Sequence, residues 1–342
     1  MSENRKELCA VILAAGEGKR MKSGKPKVML EVLLKPMLGW VMDAARAAGV
    51  GDICVVTGHL EEQVKAYLGN DAVTVTQHER KGTGHAVMMA REFLEAHRGG
   101  RVLIACGDAP FLDCLTITQA LEQHIARGDA VTVISAALDD PFGYGRIIRT
   151  PSGSVQAIVE QKEGTPEQLE VHEVNSGAYW FDVDSLLQVL NPEHLAASGI
   201  TGEHYLTDAV AALISIGMGA GAYTAMTHDV VLGANNPVQL HDLGEMARTG
   251  IIEDHISAGV GIPCADGVII GSDVTIGRDT LILPGTIIKG RSVIGSGCTI
   301  GPNAYIDSST VGDCSTVNSS QLWNVSLPEN SEIGPFALLS GE

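Results

Sequence analysis

Residues 9–27 read CAVILAAGEGKRMKSGKPK, and this stretch decides the fold of the first part of the chain. It opens with a short apolar run, which is typical of a buried strand, and continues through small residues to Gly16 and Gly18. Closely spaced cations follow: Lys19, Arg20, Lys22, Lys25 and Lys27. Free amide groups in a glycine-rich turn, together with convergent cations, predict a binding site for a polyphosphate.

The same stretch begins an alternation of strands and helices that extends to residue 137. We predict strands over 9–14, 52–57, 72–76, 101–107, 130–136, 154–160, 174–181 and 222–227. We predict helices over 37–48, 61–68, 84–97, 115–127, 182–190 and 205–216. This order predicts an α/β, Rossmann-like fold with a mostly parallel sheet. Such sheets bind ligands at the carboxyl ends of their strands, where the glycine-rich turn lies.

The last part of the chain has a different period, because isoleucine recurs there every six residues. The repeated residues are Ile270, Ile276, Ile282, Ile288, Ile294, Ile300 and Ile306. A compact residue follows four positions after each of the first six, and the period becomes irregular after Ile306. This hexapeptide repeat predicts a parallel β-helix with inward-pointing isoleucines. We therefore expect a first domain over 1–236, a linker helix over 237–250 and a short β-helix over 251–342.

Composition excludes several functional classes. The 342 residues carry a formal net charge of −18, which argues against a nucleic-acid-binding surface. The seven cysteines are scattered and never form a CxxC pair, as expected for reduced thiols in the cytoplasm. Glycines interrupt the uncharged stretch 209–227, so we predict a helix end, a turn and a strand there, and no membrane contact.

Eight ordered motifs identify a family resemblance. They are LAAGEGKRMKSGKPK at 13–27, QHERKGTGHA at 77–86, CGDAPFL at 106–112, PFGYGRI at 141–147, IVEQK at 158–162, VNSGAYWF at 174–181, GEHYLTD at 202–208 and GANNPVQL at 233–240. From about residue 8 to its end, the chain resembles the bacterial bifunctional N-acetylglucosamine-1-phosphate uridylyltransferase / glucosamine-1-phosphate acetyltransferase family. The resemblance implies a pyrophosphorylase domain followed by the first coils of a left-handed β-helix.

The implied reaction joins UTP and N-acetylglucosamine 1-phosphate to give UDP-N-acetylglucosamine and pyrophosphate, with Mg²⁺ as cofactor. By resemblance, Arg20 and Lys27 are the catalytic cations, and Asp108 and Asn235 hold the metal. From its position alone, Asp108 could instead be a turn or capping residue. The resemblance also implies that the β-helix assembles subunits, as a trimer. The family's acetyltransferase site lies on later coils, so we expect the 342 residues to lack it.

The resemblance assigns two binding sites. The nucleotide site comprises Leu13, Ala14, Ala15, Gly16, Gln77, Gly82 and Thr83. The sugar site comprises Gly145, Glu160 and Asn175. The Gln77 amide offers both a donor and an acceptor to a uracil edge. Thr83 could also cap the helix that follows it, and we expect His85 to pack or cap rather than catalyse.

Arg80 departs from the family pattern, which usually has glutamine there, and Leu34 stands where glycine is common. Arg80 therefore leaves the geometry around the base open. One alternative is a sister sugar-1-phosphate nucleotidyltransferase with a different base or sugar. Others are a nucleotide-sugar-binding module without turnover, and an acetyltransferase, which the hexapeptides alone would suggest.

Overall fold

A computed structural model describes residues 8–195, 197–198 and 202–341 of the chain. The chain divides into two compact units. The first, here called the amino-terminal unit, comprises Met1–Leu30 and Pro36–Pro237. The second, here called the repeat unit, comprises Glu31–Lys35 and Val238–Glu342. Each unit is described by itself.

One large sheet forms the centre of the amino-terminal unit. Its strands, within the described residues, are β1 (Leu8–Leu13), β2 (Asp52–Thr57), β3 (Val73–Thr76), β4 (Arg101–Cys106), β5 (Val131–Ala137), β6 (Arg146–Arg149), β7 (Val155–Val159), β8 (Glu173–Asp182) and β9 (Ala220–Thr224). The main strand order is β9-β5-β8-β4-β1-β2-β3, while β6 pairs with β7 and β8. The long strand β8 is antiparallel to both of its main neighbours, and the other main pairs are parallel. The predicted mostly parallel, Rossmann-like sheet is confirmed.

The helices of the amino-terminal unit are α1 (Met37–Ala47), α2 (Glu61–Leu68), α3 (Thr83–Met89), α4 (Arg91–Ala96), α5 (Cys114–Arg127), α6 (Pro166–Leu169), α7 (Val183–Val189) and α8 (Thr207–Ser215). Helix α9 (Pro237–Ser257) begins at the last residue of this unit and otherwise belongs to the repeat unit. Short 3-10 turns occur at Lys19–Met21, Lys27–Met29 and His228–Val231. The helix predicted over 84–97 is two helices, because the Ala90 N–H bonds to the Val87 carbonyl at 3.0 Å and tightens the turn. The helix predicted over 237–250 continues to Ser257.

Strand β1 shows why this sheet is covered on both faces. Successive side chains of a strand point to opposite faces. Cys9 and Val11 belong to one buried core cluster, and Ala10 and Ile12 belong to another. All four are at most 1% exposed, so the strand is apolar throughout rather than alternating. Because the glycine-rich turn directly follows this central strand, it lies at the carboxyl edge of the sheet.

Beyond helix α9, the repeat unit forms three stacked parallel sheets, as expected for a left-handed β-helix with hexapeptide repeats. The first contains Ile269–Ile270, Ile287–Lys289, Tyr305–Asp307, Gln321–Trp323 and Leu338–Ser340. The second contains Thr275–Ile276, Val293–Ile294, Thr310–Val311 and Ser326–Leu327. The third contains Leu281–Ile282, Thr299–Ile300, Thr316–Val317 and Glu332–Ile333. A separate short pair joins Glu31–Val32 to Lys35–Pro36.

The period of the isoleucines explains the stacking. Ile270, Ile288 and Ile306 lie in register in one sheet and are fully buried. Beyond Ile306 the coils continue with a shorter repeat, since Ile306 pairs with Leu322 and Leu322 pairs with Leu339. The six-residue rule therefore failed to mark these leucines, although they occupy the same inward column.

Residues 209–227 form the end of α8, a turn and strand β9, as predicted. Among the described residues, no helix has both the length and the apolar character needed to cross a membrane.

Candidate active site

The glycine-rich turn follows β1 at the carboxyl edge of the sheet. None of the backbone N–H groups of residues 15–18 donates a hydrogen bond to a described residue. Gly18 has a left-handed backbone with φ of 63°, and a Cβ there would lie 2.7 Å from Cβ of Lys27. Only glycine fits this close approach without displacing Lys27. The turn therefore places unpaired backbone N–H groups beside Lys27. This arrangement can bind an anion, as the sequence predicts.

Four predicted site residues from three distant segments meet at this edge. The Lys27 ammonium forms an ion pair with Asp108 Oδ2 and donates to Asn235 Oδ1 at 3.1 Å. Arg20 Nη2 donates to the same Asn235 oxygen, also at 3.1 Å. Only 14% of the Lys27 side chain is exposed, whereas Arg20 is exposed. The cluster of Arg20, Lys27, Asp108 and Asn235 is called here the cation–oxygen cluster.

The oxygens of this cluster fit a divalent cation. Asp108 and Asn235 already direct one oxygen each at a single positive charge, the Lys27 ammonium. Carboxylate and amide oxygens are the ligands that Mg²⁺ prefers, and this ion usually takes only one or two ligands from the protein. Within the described ranges no group of three or more His, Cys, Asp or Glu side chains could hold a metal. An Mg²⁺ ion held by Asp108 and Asn235 would take its other ligands from phosphate and water, as this ion usually does.

A cleft of about 380 Å³ opens beside this cluster. It is lined by Leu13, Ala15, Gly16, Glu17, Lys27, Val28, Gln77, Arg80, Gly82, Thr83, Ala86, Cys106, Asp108, Glu203 and Tyr205. All but one of the residues predicted to form the nucleotide site therefore line this cleft. Ala14 is the exception, since its side chain is 1% exposed and its N–H donates to the Val56 carbonyl at 2.8 Å.

The wall formed by residues 77–83 presents a donor and an acceptor to the cleft. Gln77 is 4% exposed, and its Nε2 lies 3.0 Å from the Gly82 carbonyl and 2.9 Å from His85 Nδ1. Among the described residues, neither Gln77 Oε1 nor the Gly82 N–H makes a hydrogen bond. Gly82 has φ of 99°, and a Cβ there would lie 2.5 Å from the His204 carbonyl oxygen. Thr83 does not cap α3, because its Oγ1 accepts the Leu206 N–H at 3.0 Å.

The three predicted sugar residues form a second group, outside the residues that line the cleft. The Asn175 N–H donates to the Gly145 carbonyl at 2.9 Å, and a Cβ on Gly145 would lie 3.6 Å from both Glu160 carboxylate oxygens. Thr207 Oγ1 donates to Glu160 Oε1 at 3.4 Å. Burial raises the pKa of Glu160; the Thr207 hydrogen bond opposes this, and nearby acidic groups add to it. This carboxylate is therefore short of hydrogen-bond donors, which sugar hydroxyls could supply.

Asn175 has fewer free hydrogen-bonding groups for a ligand than the sequence suggests. Its Nδ2 donates to the Tyr179 hydroxyl at 2.6 Å, and its Oδ1 accepts the Gly177 N–H at 3.0 Å. These bonds hold the side chain in one orientation and leave one N–H and one lone pair for a ligand.

Arg80 lies on the cleft and forms an ion pair with Glu17 at 3.1 Å. The pair links the wall formed by residues 77–83 to the glycine-rich turn. The sequence marks Arg80 as a departure from the family pattern but does not indicate Glu17 as its partner. The sequence-based prediction also missed Glu203 and Tyr205 as cleft residues, although both belong to the quoted GEHYLTD motif.

Comparisons with known proteins find relatives for both parts of the chain. Residues 10–165 match the MobA-like NTP transferase domain, and residues 273–308 match the bacterial transferase hexapeptide repeats. The Bifunctional protein GlmU of Caldanaerobacter subterraneus subsp. tengcongensis is 44% identical over 78% of this chain and 57% of its own length. This chain is a relative of the GlmU proteins. GlmU of Acetivibrio thermocellus is 39% identical over 78% of this chain and 57% of its own. GlmU of Thermobifida fusca is 43% identical over 73% of this chain and 52% of its own length.

The chain thus spans a little over half the length of the GlmU proteins that it matches. A solved structure assigned as a glucose-1-phosphate thymidylyltransferase of Bacillus anthracis, in complex with sucrose, has a TM-score of 0.58. The match is 20% identical and covers 70% of this chain and 95% of the other. At that identity the likeness shows a shared fold and nothing about substrate.

Proposed function

We propose that this chain is a UTP:N-acetylglucosamine-1-phosphate uridylyltransferase that forms UDP-N-acetylglucosamine and pyrophosphate with Mg²⁺. One observation carries the proposal, namely the cation–oxygen cluster beside the unpaired amides of residues 15–18. The similarity to GlmU proteins supports the choice of base and sugar.

The proposed reaction is an in-line displacement at the α-phosphorus of UTP. An oxygen of the sugar phosphate forms a new bond to that phosphorus, while the bond from the phosphorus to the α,β-bridging oxygen breaks. Pyrophosphate leaves with the electron pair. The attacking phosphate is already mostly dianionic near pH 7, since its second pKa is about 6, so it needs no general base. The protein must therefore supply alignment and charge neutralisation.

The cluster is suited to that task. Arg20 presents a planar pair of donors to the triphosphate and to the developing pyrophosphate. Lys27 acts as a point charge near the α-phosphate, and the N–H groups of residues 15–18 hold phosphate oxygens. Asp108 and Asn235 would hold Mg²⁺, which when bound neutralises further phosphate charge. Lys27 now occupies the space between these two oxygens, so its ammonium is the group that would turn toward the nucleotide.

The free groups on the cleft wall match a uracil edge. Gln77 Oε1 can accept the ring N3–H, and the Gly82 N–H can donate to a uracil carbonyl. Thymine presents the same two groups, so these contacts alone do not separate UTP from dTTP. Glu160, with its raised pKa, and Asn175 are proposed to bind sugar hydroxyls.

The test is pyrophosphate release measured for a panel of nucleoside triphosphates, each combined with several sugar 1-phosphates. We expect UTP with N-acetylglucosamine 1-phosphate to give the highest kcat/KM. A clear preference for dTTP, ATP or GTP, or for another sugar, would establish a sister nucleotidyltransferase instead. Tight binding of UDP-N-acetylglucosamine without any pyrophosphate release would indicate a non-catalytic binding module.

We also propose that the repeat unit assembles the chain into a trimer. Hexapeptide repeats support association, and the flat parallel faces of the coils can pack side by side. Sedimentation equilibrium over a range of concentrations is the test, and a concentration-independent monomer would refute the proposal. The expectation that these 342 residues do not acetylate glucosamine 1-phosphate stays a prediction, and acetyl-CoA consumption tests it.

A further inference from the structure

The orientation of the Gln77 amide follows from its surroundings. The Gly82 carbonyl oxygen can only accept a hydrogen bond, so the Gln77 atom 3.0 Å away must be the NH₂ group. If the amide were reversed, two oxygens would face each other at that distance. Gly82 cannot move away easily, because its carbonyl also accepts the Ala86 N–H at 3.1 Å in the first turn of α3.

The second N–H of the same amide faces His85. Gln77 Nε2 lies 2.9 Å from His85 Nδ1, and since Nε2 can only donate, Nδ1 must accept. The imidazole is therefore neutral, with its proton on Nε2. Burial lowers the pKa of His85, the charges of Lys81 and His204 lower it further, and Glu79 opposes them. The His204 ring lies 6.3 Å away between centroids. Neutral His85 is thus the state that its environment favours.

These two bonds use both donors of Gln77 and leave Oε1 alone to face a ligand. Gln77 lines the cleft, and its Oε1 has no partner within the described part of the chain. An acceptor at this position favours a base with a ring N–H, such as uracil. It opposes cytosine, whose unprotonated N3 is itself an acceptor.

We infer that His85 is a positioning residue that fixes the Gln77 amide and so makes the site select uridine over cytidine nucleotides. The inference rests on the proposed function and deepens it, because it assigns base selectivity to a residue beyond the cleft wall. A protonated His85 would present N–H groups on both ring nitrogens. Gln77 could answer only by turning its oxygen toward the Gly82 carbonyl, so the base-reading geometry would be lost.

The experiment compares His85→Phe with His85→Asn. Phenylalanine removes the acceptor, whereas an asparagine Oδ1 can take the place of Nδ1. The readout is the ratio of kcat/KM for UTP to that for CTP at pH 7.5, with N-acetylglucosamine 1-phosphate. We expect the ratio to fall about tenfold or more in His85→Phe, mainly through KM for UTP, and to stay within about threefold in His85→Asn. An unchanged ratio in a folded His85→Phe would overturn the inference.

The pH dependence of the wild-type chain offers a second test, with His85→Asn as its control. As pH falls through the lowered pKa of His85, the UTP-to-CTP ratio should fall in the wild type and stay flat in His85→Asn. Titration of the phosphates affects both nucleotides equally and cancels in the ratio. The series stops above the pH at which cytosine N3 itself gains a proton and becomes a donor. Imidazole ¹³C shifts should show the Nε2–H tautomer for His85 at pH 7.5. A pH-independent wild-type ratio, or an Nδ1–H tautomer, would contradict the proposal.

The outcomes separate the two proposals. If the wild type releases no pyrophosphate and does not prefer UTP, the proposed function fails. If the wild type prefers UTP and His85→Phe keeps that preference, only the role of His85 fails.

Discussion

The two units of this chain achieve order in different ways. In the repeat unit, isoleucine at a six-residue period builds the core of the first coils, leucine and valine fill most of the inward positions of the later coils, and the stacked strands pair with others 16 to 18 residues away. In the amino-terminal unit, the side chains of the candidate site come from segments that are distant in sequence, since Lys27 contacts Asp108 and Asn235. The first arrangement can be read along the sequence, whereas the second exists only once the sheet has formed.

The two regions also differ in what their buried side chains contribute: the repeat-unit core contributes to stability, and the cation–oxygen cluster to the proposed chemistry. The inward column of the repeat unit is apolar, and its isoleucines contribute by burial. The cation–oxygen cluster keeps three polar side chains partly buried against one another, and an unpaired charge there is costly. We therefore expect substitutions in the first region to change unfolding, and substitutions in the second to change turnover.

The largest expected effect is on turnover, in Lys27→Ala. This change removes the ammonium that we propose to act on the α-phosphate, and it leaves Asp108 without its ion-pair partner. We expect kcat to fall by about 10²–10³, with the circular dichroism spectrum unchanged. Lys25→Ala, an exposed lysine of the same turn, is the matched control and should retain activity within about threefold. Near-normal rates in Lys27→Ala would show that this charge does not act in the reaction.

The next effect tests the repeat unit. Ile294 is 1% exposed and Val293, beside it on the same strand, is 44% exposed. Ile294→Ala should lower the free energy of unfolding by about 3 kcal/mol, because it leaves a cavity in the inward column. Val293→Ala should cost less than about 1 kcal/mol. Urea unfolding, with hydrogen exchange over residues 282–306, measures both. Equal losses would mean that the alternation of inward and outward residues does not govern stability here.

A smaller effect on turnover should follow from Asp108→Asn. The substitution keeps the shape of the side chain but removes the negative charge that a divalent cation prefers. We expect the Mg²⁺ concentration for half-maximal rate to rise about 10- to 100-fold. Titrating Mg²⁺ at saturating UTP measures this shift. An unaltered Mg²⁺ requirement would remove Asp108 from the metal site.

The smallest effect concerns backbone strain. Leu33 and Leu34 have φ of 45° and 68° in the turn between Glu31–Val32 and Lys35–Pro36. Leu34 is 42% exposed, so Leu34→Gly relieves strain at little cost in burial. We expect a stabilisation of about 0.5–1 kcal/mol by urea unfolding. Val73→Gly, at an exposed position of strand β3, should change stability in the opposite direction. Destabilisation by Leu34→Gly would show that the turn is not strained.

Most of the fold could be predicted from the sequence, because the spacing of apolar residues is a local property of the chain. The alternation in the first 137 residues predicted the parallel sheet, and the isoleucine period predicted the coils. Prediction failed where no local signal exists. The break at Ala90 involves neither glycine nor proline, and the shortened coils after Ile306 carry valine or leucine at most of the inward positions.

For the candidate site, the motifs named the residues but not their partners. Gln77 was expected to offer a donor and an acceptor, yet the structure leaves it only an acceptor toward the cleft. Thr83 was a possible helix cap, and it bonds to Leu206 instead. These hydrogen bonds depend on tertiary contacts, which cannot be predicted from the spacing of residues in the sequence.

The most direct test of the account is a crystal structure of the chain soaked with UTP and Mg²⁺. We predict that the triphosphate lies against the amides of residues 15–18, with Arg20 and Lys27 on its phosphate oxygens and the metal on Asp108 and Asn235. A triphosphate bound away from the turn that follows β1 would contradict the central claim.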